Sequence, residues 1–86
     1  MNTFLLIVSS PEGDLYRKQV VAVYLRGTEG ELAVMAGHIP FVTTIKPCDC
    51  RIELEDGSEV TAHTDGGILT VSNEKTTYLT GSFSIL

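Results

Sequence analysis

"RIELEDGSEVTAH", residues 51–63, alternates apolar and polar side chains on both sides of an Asp-Gly pair. Ile52 and Leu54 point one way and Arg51, Glu53 and Glu55 the other; beyond the turn, Val60 and Ala62 oppose Glu59, Thr61 and His63. A period of two belongs to a half-buried strand, because successive side chains on a pleated backbone leave opposite faces. Asp56-Gly57 is a strong hairpin signal, since both residues tolerate positive φ. The stretch therefore predicts a hairpin with one wet face.

Working outward, turn signals recur at short intervals: residues 11–14, 27–30, 36–40, Pro47, 65–67, 72–74 and 80–82. Between them, segments such as 4–8, 20–25 and 76–79 are rich in Val, Ile, Thr and aromatic side chains, which suit a pleated surface. Strands of about five to eight residues fit these gaps. The expectation is an all-β chain folded as a two-sheet β-sandwich of short, mostly antiparallel strands. No segment has the spacing of a long helix, and no repeat, linker or low-complexity run is present. At 86 residues there is room for one core only. With 43% hydrophobic and 20% charged residues, the chain has the means to bury that core.

Eleven acids against six bases leave a net charge of −5, and the bases are scattered. Nucleic acid is therefore not an expected partner, because phosphate neutralisation needs clustered Lys and Arg. The apolar run at residues 4–8 is too short to span a bilayer and lacks a preceding basic segment, so the chain reads as cytoplasmic. Cys48 and Cys50 stand one residue apart, too close for an unstrained disulfide, and read as small side chains in a strand.

No catalytic set emerges from the residues. Ser9, Ser10, His63 and Asp65 supply hydrolase residue types, but the G-x-S-x-G elbow is missing. The two histidines lie far apart, and the cysteine spacing does not match a zinc knuckle, so no metal or cofactor is expected. Gly66-Gly67 precedes the strand-like 68–71 rather than a helix, which predicts a bend or bulge and not a phosphate cradle. Glu29 and Glu31 flank Gly30 in a hydrophilic turn; solvated carboxylates keep a pKa unsuited to general acid catalysis at neutral pH.

Three motifs in register carry a resemblance: Glu29-Gly30-Glu31-Leu32, then Gly37-His38-Ile39-Pro40 followed by Ile45-Lys46-Pro47, then Gly66-Gly67-Ile68-Leu69-Thr70-Val71. Together with residues 3–10 and the turn at 11–15, they resemble the amino-terminal domain of the epsilon subunit of rotary ATP synthases. The resemblance implies a ten-stranded sandwich in a non-catalytic central-stalk subunit, which links the gamma subunit to the ring of c subunits and couples ion translocation to ATP synthesis. It implies ring contacts at Glu29, Glu31, Gly37 and His38, Glu31 foremost, and gamma contacts at Ser10, His38 and Thr43. His38 reads as an interface residue on a tight turn, where Gly37 provides the backbone freedom and Pro40 restrains the exit. The implied location is the cytoplasmic face of the cell membrane, reached only through the complex.

Ala36 and Cys48 stand where relatives commonly carry proline and glycine, which predicts a different shape for the second turn. Residues 1–86 read as the sandwich domain, with the family's carboxy-terminal helical hairpin absent. The competing reading is a free-standing β-sandwich adaptor for a peptide or small ligand, suggested by apolar residues on both sides of 20–25.

Overall fold

The computed structural model describes residues 2–37 and 39–86, so the His38 reading lies outside the described residues. Alternation along the chain produces ten strands among these residues and no helix. They are β1 (Phe4–Ser10), β2 (Gly13–Val20), β3 (Ala22–Gly27), β4 (Gly30–Met35), β5 (Phe41–Ile45), β6 (Cys48–Glu53), β7 (Glu59–Thr64), β8 (Gly67–Val71), β9 (Lys75–Thr80) and β10 (Phe83–Ile85). One layer runs β10-β7-β6-β3-β4 and the other β5-β8-β9-β1-β2. They are continuous at a corner, where Gly27 of β3 pairs with Ile45 of β5. All pairings are antiparallel except β1 with β9.

The hairpin at 51–63 forms with the expected facing: Ile52 and Ala62 are fully buried, while Arg51, Glu59 and His63 are exposed. Its turn differs in one respect. Only Gly57 takes positive φ, at 89°, and Leu54 N–H bonds to Ser58 O at 2.9 Å across a three-residue loop. The Asp56 carboxylate accepts from the Ser58 amide at 2.9 Å and from its hydroxyl, so Asp56 caps the loop instead of adopting a left-handed conformation.

Residues 20–25 do not form one strand. Val20 ends β2 in one layer, Val21 donates its amide to Glu53 O at 2.8 Å, and Ala22 begins β3 in the other layer. Apolar residues on both faces of the segment thus serve two layers in turn, and Val20, Ala22, Val23 and Leu25 are all buried. The adaptor reading loses its motive, because no sticky face is left there. Both layers contribute to one core, with Leu6, Val8, Val20, Leu69, Val71 and Tyr78 from one packed on Val23, Leu25, Val34, Cys50 and Ile52 from the other. At the free edges of the layers, Tyr16 of β2 meets Phe83 of β10 with ring centroids 6.0 Å apart.

Three connections change layer at the same end: Lys46-Pro47 between β5 and β6, Asp65-Gly66 between β7 and β8, and Gly81-Ser82 between β9 and β10. Gly66 has φ +98°, and a Cβ there would lie 2.7 Å from Ile45 O and 3.3 Å from Pro47 N. At Gly67 the same atom would lie 2.0 Å from Leu79 O. The bend read from the sequence is there, and the structure adds that it is a close-approach site, where two backbones pass with no space for a side chain.

Buried hydroxyls stitch the same end. Thr64 Oγ1 lies 2.7 Å from Tyr78 Oη and 3.1 Å from Thr80 Oγ1, and Thr80 donates to Gly66 O at 2.7 Å. The amides of Gly66 and Ser82 donate to Thr64 and Thr80 respectively. One proton order satisfies the set: Tyr78 to Thr64, Thr64 to Thr80, Thr80 to the Gly66 carbonyl. Each threonine hydroxyl then donates once and accepts twice.

Gly67→Ala should cost about 3 kcal/mol or more in chemical denaturation, because backbone has to move to admit the methyl group. Gly81→Ala, with nothing within 4 Å of the added atom, should stay within about 0.5 kcal/mol of wild type. Two hydroxyl deletions should differ likewise. Thr80→Val strands the Gly66 carbonyl and should destabilise by about 1–3 kcal/mol, whereas Tyr16→Phe should be neutral or stabilising. Tyr16 Oη is buried with no hydrogen-bond partner among the described residues.

Candidate functional site

Alternation in the second layer leaves the centre of its outer face without charge, with Lys75 of β9 and Asp14 and Arg17 of β2 at its border. Leu69 and Val71 point into the core, so Ile68 and Thr70 point out; in β5 the inward Phe41, Thr43 and Ile45 leave Val42 and Thr44 outside. Strand register then aligns two rows across this face. One runs Thr44, Ile68, Leu79, Ser9 and the other Val42, Thr70, Thr77, Ile7. Val42, Ile68 and Leu79 are 66%, 44% and 51% exposed, a large outlay of apolar surface for three side chains on adjacent strands.

The outer face of the other layer is of opposite character. Arg51 stacks its guanidinium 4.4 Å from the Tyr24 ring centre and lies 3.6 Å from Glu59. An open concavity of about 470 Å³ is bounded there by Tyr24, Arg26, Glu31, Asp49, Arg51 and Thr61, among others. Two bases, Arg26 and Arg51, face two acids, Glu31 and Asp49, on this open surface, with Leu25, Pro47 and Cys48 between them.

The residues singled out from the sequence separate by place. Glu29 lies in the turn between β3 and β4, Glu31 is the second residue of β4, and both are exposed. With Thr43 they line a concavity of about 230 Å³ beside the corner. Ser10 ends β1 at the same end of the molecule; it is buried, and its hydroxyl lies 3.0 Å from the Glu12 carboxylate and accepts from the Glu12 amide. Gly37 is exposed at φ +83° beyond the far end of β4. The length of β4, about 17 Å at ~3.4 Å per residue, separates it from Glu29 and Glu31. The structure thus gathers Glu29, Glu31 and Thr43 and places Gly37 elsewhere. Val42, Ile68 and Leu79 escaped the reading of the residues, although once Leu69 and Val71 are taken as core, alternation alone places Ile68 outside.

The hydrolase residue types do not converge. Ser9 donates to Asp14 at 2.9 Å, Ser10 is held in its own turn, and His63 faces Asp49 and Asp65. Among the described residues no three His, Cys, Asp or Glu side chains are grouped to hold a metal ion.

A sequence model of the family described as the ATP synthase delta/epsilon chain β-sandwich domain matches residues 3–84. The fold is similar to that of a chain in the Euglena gracilis mitochondrial ATP synthase, solved as OSCP/F1/c-ring, with a TM-score of 0.90 and 24% identity. It is also similar to a chain in the Tetrahymena thermophila mitochondrial ATP synthase central stalk and c-ring, with a TM-score of 0.76 and 11% identity. The matches cover 96% and 95% of this chain, but only 53% and 66% of the chains matched. The chain belongs to the ATP synthase delta/epsilon β-sandwich family.

Of the two cysteines, both on β6, Cys50 is buried, and burial together with the neighbouring Cys48 thiol pushes its pKa up to about 12. In the native protein at pH 8, iodoacetamide should modify Cys50 at least about tenfold more slowly than Cys48, the thiolate being the reactive form. Denaturant should abolish the difference; mass spectrometry of the timed digest reads it.

Proposed function

From that membership we propose that the chain is a non-catalytic part of the rotor stalk of an ATP synthase, joining the gamma subunit to the ring of c subunits. The observation that carries this reading is the outer face of β5, β8, β9 and β1, whose centre holds Val42, Ile68 and Leu79 among threonines and whose one charge, Lys75, stands at the start of β9. Gamma seats on this face. An apolar patch framed by threonines binds by burial without leaving a charge unpaired, and suits a contact that persists through rotation.

The ring meets the crossover end through Glu29, exposed in the β3–β4 turn, and Glu31, exposed on β4 opposite Arg26. Carboxylates there set register and orientation against a polar or basic loop more than they add affinity. Thr43, facing the concavity beside them, belongs with that contact, while Val42 and Thr44 on its two sides face gamma. Gly37, at the other end of β4, borders gamma. Ser10 shapes the neighbouring turn. The chain is held at the membrane surface through the complex; among the described residues no helix is long and apolar enough to cross a bilayer.

Torque passes through the sandwich because a close-packed core deforms little, and the two crossovers stitched by Thr64 and Thr80 stiffen the end that meets the ring. In a sizing column the chain should co-elute with purified gamma. Ile68→Glu should weaken that complex at least about tenfold, since an unpaired carboxylate in an apolar interface costs more than about 1.4 kcal/mol. Its circular dichroism should be unchanged. Glu31→Lys should still bind gamma but fail to seat gamma on isolated c-rings. Wild-type chain that ignores gamma, or an Ile68→Glu chain that binds it equally well, overturns the reading.

A further inference from the structure

Next to the crossover end, one imidazole faces two carboxylates. His63 projects outward from β7, with Nδ1 2.9 Å from Asp49 Oδ1 and Nε2 3.6 Å from Asp65 Oδ1. A neutral imidazole carries one N–H and presents a lone pair at its other nitrogen. Whichever tautomer it adopted, one carboxylate would face that lone pair. Only the imidazolium donates in both directions.

The two carboxylates stand at informative places. Asp49 follows the Lys46-Pro47 bend by two residues, and Asp65 immediately precedes Gly66. These are the two layer-changing connections that touch, with the Cβ position of Gly66 lying 2.7 Å from Ile45 O and 3.3 Å from Lys46 C. The charged ring therefore lies outside the β5–β6 and β7–β8 connections, whereas Thr64 and Thr80 join the β7–β8 and β9–β10 connections from the inside.

We propose that His63 is a proton-operated clamp on the crossover end: as the imidazolium it bridges Asp49 and Asp65, and when neutral it releases one of them. The groups facing it are Asp49 from β6 and Asp65 from the β7–β8 connection, while β10 opposes it with the uncharged Ser84. Arg51, one step along the same face of β6, is engaged with Glu59 and Tyr24. Arg26 and Glu31 lie on the concavity beyond Asp49 and offset each other in charge. The Asp49 hydrogen bond, ahead of the opposing effect of desolvation, holds the His63 pKa above its ordinary 6.5. A raised folded-state value means that the clamp's contribution is complete below the unfolded pKa and disappears as pH rises through the folded one. The clamp is independent of which partners dock on the sandwich.

The test is an NMR titration of the two histidine rings in the intact chain, with His63→Gln to assign them. The His63 ring should titrate above 6.5, with both nitrogens protonated at pH 5.5, and its midpoint should fall in Asp49→Asn and, by less, in Asp65→Asn. Amide exchange at Gly66 and Gly67 gives the local readout. Protection in wild type relative to His63→Gln, compared at equal pH, should be about twofold at pH 5.5, the scale of an exposed pair, and reach unity by pH 8.5. A His63 midpoint at or below 6.5, a neutral ring at pH 5.5, or a protection ratio that does not change with pH overturns the proposal.

Discussion

The backbone of β8 enters its layer through a gap too narrow for any side chain. Gly67 lies so close to Leu79 that a single added carbon would overlap the Leu79 carbonyl, and Gly66 beside it lies against Ile45 and Pro47. Two layer-changing connections pass there, beside the β3–β5 corner where the layers join. The corner itself is a single residue pair, Gly27 with Ile45, backed by the Lys46 amide donating to Arg26 O at 2.9 Å. So slight a ladder does not fix the angle between two sheets; steric exclusion around Gly66 and Gly67 does, together with the core that both layers share.

Placing three bends at one end creates a polar problem that the hydroxyl set resolves. Bends interrupt strand ladders and leave amides and carbonyls facing inward, where an unpaired group is costly. Thr64 and Thr80 replace the missing strand partners for Gly66 and Ser82, and Tyr78 completes the chain from the core side. Threonine suits this role, since its methyl group packs with the apolar interior while its hydroxyl both accepts and donates.

The two outer faces follow from how the strands are shared between layers. The layer of β6 and β7 places Arg51, Glu59, Asp49 and His63 in water, and the layer of β5, β8 and β9 places Val42, Ile68, Leu79 and threonines there. The proposed seat between a shaft and a ring gives the second set a use that burial in this chain does not. This asymmetry connects fold to family: one body with an apolar seat, an acidic end and a stiff interior has what a coupling element requires.

From the residues in order, strand identity was legible wherever alternation was clean, as at 51–63 and 68–71, because the period of two is a local property of the pleated backbone. The Gly66-Gly67 bend was legible for a similar reason, since glycine at a strand start accepts conformations closed to other residues. The three motifs pointed to the family. What the chain order did not disclose was where strands change layer: 20–25 looked like one strand because both of its faces are apolar, and only the tertiary structure assigns Val20 to one layer and Ala22 to the other. The grouping of Glu29 and Glu31 with Thr43 and away from Gly37, and the exposure of Val42 and Leu79, were decided at the same level. Such outcomes rest on contacts between residues distant along the chain, as between Gly67 and Leu79, and a local pattern of side chains carries no record of which backbone will pass behind it.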